Sequence, residues 1–253
     1  MSLRNGPFPP VNALIASLPR RDRDYVTNIC TVADLTFGES LCTPGDAIRH
    51  VYFPTAGYIS MITPKGAAES LEVGMVGNEG AFGITLMFDV TTSPLQGLVQ
   101  GAGEAMRMTG RQFNTARAAS AAFRRALNRY LYVLTSQLAQ TAACNRFHHL
   151  DARLARWLLL SQDRAHGDTF RMTHEFLAYM LGVRRAGVTE AAGRLQEAGL
   201  IRYARGELTI VDRRALEGVS CPCYAAQTAT YERYVNKPRT PAAAVVGRKV
   251  FAR

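Results

Sequence analysis

From Gln112 to Arg164 the chain contains neither glycine nor proline, the two residues that most readily end a helix. Within that stretch Phe123, Leu127, Leu131, Leu134, Leu138 and Thr141 follow one another at intervals of 4, 4, 3, 4 and 3. This spacing predicts a long helix carrying a narrow apolar stripe. Such a stripe suits a helix that pairs with a copy of itself, or one docked on its own domain. Its a/d character favours pairing, with Phe123, Leu127, Leu131, Leu134 and Leu138 as the dimer interface. Asp151 then reads as the cap of a second helix, Asp151 to Arg164, in which Leu154, Trp157, Leu158 and Leu160 face a core.

The residues before this stretch have a different texture. Leu14, Ile15, Leu18, Tyr25, Val26 and Ile29 fall at helical spacing around Pro19, which predicts two short helices. Between Val32 and Met108 short β-branched and aromatic runs alternate with turn clusters: Thr43-Pro44-Gly45-Asp46, Pro54-Thr55-Ala56-Gly57, Pro64-Lys65-Gly66 and Gly77-Asn78-Glu79-Gly80. Regular punctuation of this kind marks an all-β roll or sandwich. With 253 residues, 47% hydrophobic and 20% charged, the chain is globular and makes one large or two modest domains.

Charge is divided unevenly. Residues 1–110 hold 7 Lys/Arg against 10 Asp/Glu, whereas residues 111–253 hold 23 against 10. A basic excess confined to one half is expected where that half meets a polyanion, although a general solubility charge has the same sign. The count of five cysteines is odd, and the first residues lack the apolar core and cleavage site of a secretory signal. Both favour a reducing, cytoplasmic setting. No stretch approaches the about 20 apolar residues of a membrane helix, so no membrane partner is expected.

Residues 171–212 carry the most specific signal. Thr173 is placed to cap a helix with Phe176, Leu177, Met180 and Leu181 on one face, and Gly182 to end it in a left-handed turn. Val183 reads as a buried turn residue. A second amphipathic helix starts near Arg184, turns Val188, Ala192 and Leu195 inward and ends at Gly199. Two short helices joined by a glycine turn form a helix-turn-helix, whose second helix enters the DNA major groove. Leu200 to Tyr203 and Leu208 to Val211 then form a hairpin around Ala204-Arg205-Gly206-Glu207, a wing whose tip carries Arg205. A protein-docking module could share this outline.

The segment from Thr173 to Ile201, THEFLAYMLGVRRAGVTEAAGRLQEAGLI, resembles the helix-turn-helix pattern of the Crp/Fnr family of bacterial transcription regulators. The resemblance implies an α+β fold. Its parts would be a cyclic-nucleotide-binding-like β-roll with N-terminal helices (1–110), a dimerisation helix (111–148), a winged helix-turn-helix (149–222) and a basic tail (223–253). It further implies a homodimer that binds inverted-repeat double-stranded DNA and responds to a small-molecule effector of unknown identity. Activation would also require contact with RNA polymerase. The residues expected at DNA are His174, Arg184, Arg185, Thr189 and Arg194, with Arg205 on the wing and Thr173 at a phosphate.

Two departures qualify the resemblance. The family's recognition helix usually carries an Arg-Glu pair and an Arg one turn later, and here those positions read Arg185, Ala186 and Glu190. Arg185 can still pair with guanine, but Ala186 cannot accept from cytosine, so the operator should differ from the common half-site. In the roll, neither the family's Gly-Glu step nor its phosphate-binding Arg survives, and no basic residue lies between Lys65 and Arg107. Cyclic AMP and cyclic GMP are therefore not expected to bind in the usual way, because a phosphate buried without a cation is costly. The residues expected around the equivalent pocket are Gly80, Phe82, Gly83, Thr85 and Gln96. That pocket is either vestigial or holds a less charged ligand.

No cofactor, metal or catalytic residue is expected. Cys30 and Cys42 lack the partners of an iron-sulfur cluster. Cys221-Pro222-Cys223 lacks the spacing of a structural zinc site, and reads as an inert segment or a thiol switch. His148 and His149 are adjacent and point to different helix faces, so they should not share a metal. A cupin-like enzyme would need a His/Glu metal set, whereas residues 32–108 contain only His50. The remaining rival is a DNA-binding protein whose roll binds nothing and only supports the dimer. The tail residues Lys237, Arg239, Arg248, Lys249 and Arg253 could add non-specific attraction to DNA.

Overall fold

Two long antiparallel strands form the spine of the N-terminal half. The computed structural model describes residues 12–64, 70–165, 167–204 and 206–236. Helices α1 (Ala13–Ala16) and α2 (Arg20–Asn28) lead into strands β1 (Thr31–Leu35), β2 (Ser40–Cys42), β3 (His50–Pro64) and β4 (Ser70–Val76). A 3-10 turn (Ile84–Phe88) and strand β5 (Gln96–Thr109) follow. The sheet order is β1-β5-β3-β4, with β2 also paired to β5. β3 and β5 run together from His50 opposite Thr109 to Ile62 opposite Gln96.

The Pro54–Gly57 segment, expected as a turn, lies inside β3. Register shifts between Pro54 and Ala56, Ala56 and Tyr58, and Tyr58 and Ile59 absorb it as bulges, so one bent strand replaces two. Gly57 adopts φ 74°, and a side chain there would strike the Gly101 and Ala102 carbonyls. The bend thus depends on glycine at that position.

The long helical stretch is broken twice, at Ser120 and at His148-His149. Helix α3 (Gly110–Ala119) starts at a capping box in which Thr109 accepts from the Gln112 backbone and Gln112 bonds back. Ser120 then takes extended dihedrals, caps α4 (Ala121–Phe147) by accepting from Phe123 N at 3.0 Å, and donates to Asp22 on α2 at 2.5 Å. Because its own side chain satisfies the new helix start, the chain can break without a glycine or proline. Helix α5 (Leu150–Ala165) follows after His148 and His149. Asp151 is in its first turn and is not its cap.

The apolar stripe of α4 faces the chain's own roll. Phe123, Leu127 and Leu134 are buried in one cluster with Phe53, Phe113, Leu14, Ile15 and Val26, and Leu131 and Leu138 pack half-buried at its edge. The sheet has an apolar inner face that must be covered, and each buried Phe or Leu contributes about 1.5–3 kcal/mol. Phe123, Leu127 and Leu134, expected at a dimer interface, therefore serve the internal core. The outward face of α4 instead presents Asn128, Tyr132, Thr135, Ala139 and Ala142.

The C-terminal half contains β6 (Thr169–Arg171), α6 (His174–Leu181), α7 (Arg185–Glu197), β7 (Ile201–Ala204), β8 (Glu207–Ile210), α8 (Arg213–Val219) and α9 (Cys223–Tyr231). Its three strands pair in the order β6-β8-β7. Residues 223–236, expected within a basic tail, are helical: α9 and a π-helical turn (Glu232–Asn236) lie on α4, where Tyr234 meets Tyr132 edge-on at 4.8 Å. Lys237, Arg239, Arg248, Lys249, Arg253 and the wing-tip Arg205 lie outside the described residues.

Roll and C-terminal half share a core. Tyr58, Ile62 and Met75 of the roll join Leu154, Trp157, Leu158, Leu177 and Leu181 in a second apolar cluster. Three polar pairings lie in this seam: Trp157 Nε1 donates to Glu72 Oε1 at 3.1 Å, Ser60 Oγ donates to Glu72 Oε2 at 2.6 Å, and Arg164 forms a buried ion pair with Glu79. At the opposite end of α5, Cys144 and His148 converge on Cys221 and Cys223. The Cys221-Pro222-Cys223 segment, set aside for want of partners in sequence, acquires two from the end of α4.

Candidate nucleic-acid interface

The helix-turn-helix forms as its sequence implies, and its cap residues show why. Thr173 Oγ1 accepts from Phe176 N at 3.1 Å and opens α6; Gly182 ends it with φ 64° and ψ 42°. Arg184 is the N-cap of α7 and makes no side-chain cap bond. Val188, Ala191, Ala192 and Leu195 are buried against α5 and α6, which turns the opposite face of α7 to solvent. Val183 is half-buried in the turn.

Arg184 and Arg185 are exposed at the start of α7, where the free amides and helix dipole also favour an anion. Neither forms an ion pair among the described residues. Ala186 and Glu190 share the exposed face.

Three other expected contacts are engaged within the protein. His174 Nδ1 lies 3.0 Å from Thr189 Oγ1, and Thr189 Oγ1 donates to the Arg185 carbonyl at 3.1 Å. Since that hydroxyl proton is committed, His174 carries its proton on Nδ1 and donates to Thr189. The imidazole also stacks on Tyr203 with centroids 4.4 Å apart. Burial, followed by the nearby Arg185 charge, lowers its pKa, so the ring stays neutral at pH 7. His174 and Thr189 thereby fix α7 against α6 and the wing. Arg194 grips Asp151 on α5 through two hydrogen bonds of 2.7 Å, and that pairing holds the Asp151 carboxyl below its usual range.

The expected effector residues have separate surroundings. The Tyr130 ring from α4 lies where a side chain on Gly80 would project, and the Phe82 ring does the same at Gly97. Gly83 supports the turn with φ 88°, and the buried Thr85 hydroxyl has no hydrogen-bond partner among the described residues. Gln96 Oε1 lies 3.5 Å from Tyr179 Oη of α6. Phe82 alone of the five borders a cleft of about 260 Å³, whose other walls include Cys42, Asp46, Arg49, His50 and Tyr52.

Residues 152–219 match the family described as the Crp-like helix-turn-helix domain. The chain carries a Crp-like domain on a Crp/Fnr fold. A transcriptional regulator of the Crp/Fnr family from Eubacterium rectale is similar with a TM-score of 0.64 at 16% identity, over 81% of this chain and 96% of that one. FixK2 from Bradyrhizobium japonicum gives 0.64 at 13% identity, over 76% and 98%. The c-di-GMP-responsive global regulator CLP of Xanthomonas campestris gives 0.63 at 16%, over 77% and 100%. No curated protein matches the chain. At these identities the shared property is the fold: a β-rich N-terminal region, helices and the C-terminal Crp-like domain. No helix among the described residues is long and apolar enough to cross a membrane.

The Crp-like domain also shows residues that sequence reading passed over. Tyr203 Oη donates to the Met172 carbonyl at 2.8 Å, and its backbone N–H donates to Gln196 Oε1 at 2.8 Å. One residue of the wing is thus tied through its side chain to the segment before α6 and through its backbone to α7. Arg171 and Arg202 are exposed on β6 and β7, and β7 packs on α7. Their alternation with buried Phe170 and Ile201 was the available signal, because strand neighbours face opposite ways.

Proposed function

We propose that the protein is a sequence-specific, homodimeric DNA-binding transcription regulator of the Crp/Fnr type and not an enzyme. The observation that carries this reading is Arg184 and Arg185 at the exposed start of α7, in a half of the chain with 23 Lys/Arg against 10 Asp/Glu. Arg185 reads a guanine, Arg184 and the capping Thr173 meet phosphates, and His174, Thr189 and Tyr203 hold the helix at its angle. Two chains related by a two-fold axis would place their recognition helices about 34–36 Å apart, on half-sites of an inverted repeat. The outward face of α4, bordered by Leu131 and Leu138, supplies the helical surface for that pairing. Such a protein works in the cytoplasm with the chromosome, and RNA polymerase is its partner if it activates.

The roll does not bind cyclic AMP in the usual way. Tyr130 and Phe82 fill the space over Gly80 and Gly97, and no cation between Lys65 and Arg107 is available for a cyclic phosphate. The same filled interior supports a second reading, in which the roll binds no effector and serves only as a scaffold for the dimer.

Titration of a fluorescent duplex at several salt concentrations tests the DNA role. A steep fall of affinity with salt is expected, since each neutralised phosphate releases counterions. Binding that is weak and independent of salt would reject it. Calorimetry with cyclic AMP should give no heat of binding.

A further inference from the structure

We infer that Cys144, His148, Cys221 and Cys223 form a tetrahedral zinc site that fastens the C-terminal helices to the hinge between α4 and α5. Cys144 lies in the last turn of α4 and His148 one helical turn further on, so both present ligand atoms on the same side. Cys221 and Cys223 flank Pro222 at the start of α9. Cys144 Sγ lies 3.5 Å from Cys221 Sγ, and Cys223 Sγ lies 3.4 Å from His148 Nδ1. All four ligand atoms fall within 4.8 Å of one another.

Those separations match one small ion. With Zn–S of about 2.3 Å and Zn–N of about 2.0–2.1 Å, tetrahedral geometry places sulfurs about 3.8 Å apart and a sulfur about 3.5 Å from nitrogen. The donor set of three thiols and an imidazole selects zinc over the oxygen-seeking calcium and magnesium. Iron-sulfur clusters typically take four thiolates, one more than converges here. With every position filled by protein, the site is structural and leaves no opening for water or substrate.

The surroundings fit a charged centre better than a thiol packing patch. The three cysteines are almost fully buried, yet they form a small cluster of their own with Ala152, separate from the two large cores. Binding Zn²⁺ releases three thiol protons and leaves three thiolates and a neutral imidazole around a dication, a net single negative charge. Arg153 and Arg156 of α5 lie close enough to interact with Cys144. Gln140 Nε2 donates to Cys223 Sγ at 2.9 Å. Cations and an N–H donor around the sulfurs are the outer support that a thiolate site needs.

The location gives the site its consequence. Cys144 and His148 bracket the end of the long helix, where the chain turns into α5, and Cys221 and Cys223 begin the helix that returns along α4. A metal there fixes the angle at which the Crp-like domain leaves α4.

The test is metal analysis of the untagged full-length protein, purified with a phosphine reductant and no chelator. About one zinc per chain is expected, lost in C221S and C223S and kept in C30S. Because the serine variants could unfold, the wild type supplies an independent reading. Stepwise mercurial blocking of thiols should release the zinc, and exchange for Co²⁺ should give the visible and thiolate charge-transfer bands of a tetrahedral sulfur-rich site. The inference is overturned by a wild-type chain that holds no zinc after incubation with excess ion and desalting, or by a C223S protein with wild-type zinc content.

Discussion

Tyr130 stands directly over Gly80, its phenol ring occupying the volume that any side chain at position 80 would need. This contact between α4 and the turn after β4 closes the roll from inside. Gly80→Ala should overpack a buried ring and destabilise the fold by about 1–3 kcal/mol, read from urea unfolding. The double variant Gly80→Ala/Tyr130→Ala should lose less than the sum of its parts, because removing the ring removes the clash. Additive losses would show that the two residues do not meet.

Arg185 and Arg184 should separate by the kind of contact they make. Arg185→Ala is expected to cost about 1–3 kcal/mol on a preferred duplex and to relax the preference at one base pair. Arg184→Ala should weaken all duplexes alike and lower the salt slope by about one. Anisotropy titrations on matched and mutated duplexes distinguish these patterns.

Arg194 provides a contrast, since it is exposed on the same helix but paired with Asp151. Arg194→Ala should leave the salt slope unchanged and alter DNA affinity by less than about twofold, as expected for a side chain committed to an exposed ion pair within the protein. A slope reduced as far as that of Arg184→Ala would mean that Arg194 leaves Asp151 for a phosphate.

The sequence made the DNA-binding half legible where local chemistry decides structure. A threonine cap, a left-handed glycine and the spacing of Val188, Ala192 and Leu195 are short-range signals, and α6 and α7 form where they point. Long-range choices were less visible. The α4 stripe has the spacing of a dimer seam, but spacing does not say whether the partner surface is another helix or the chain's own sheet; Phe123 and Leu127 chose the sheet. The turn chemistry of Pro54–Gly57 is equally ambiguous, since bulges in a long strand use the same residues. Arg194 looked like a phosphate contact because nothing local links it to Asp151. Cys144 and His148 do carry a helical i, i+4 spacing, but their relation to Cys221 and Cys223 exists only after α9 folds back along α4.

Glu72 should make the seam between roll and Crp-like domain sensitive to pH. Burial pushes its carboxyl up to about 7, against the hydrogen bonds from Ser60 and Trp157 that lower it. The folded state therefore keeps its proton at pH values where the unfolded chain has released it. The resulting stability is fully present below the ordinary carboxylate pKa and is lost as pH rises through about 7. Glu72→Gln should flatten that decline and be the more stable protein at pH 8, measured by thermal unfolding across the pH series. A parallel decline in both proteins would assign the effect elsewhere.

The most direct test of the central claim is selection of bound sequences from random duplex DNA by the full-length protein, with and without cyclic AMP at one fixed salt concentration. The expected result is a single inverted repeat, enriched equally in both conditions, whose preference Arg185→Ala relaxes at one position of each half-site. Enrichment only with cyclic AMP would contradict the closed roll, and no enriched sequence in either condition would contradict the DNA-reading role of α7.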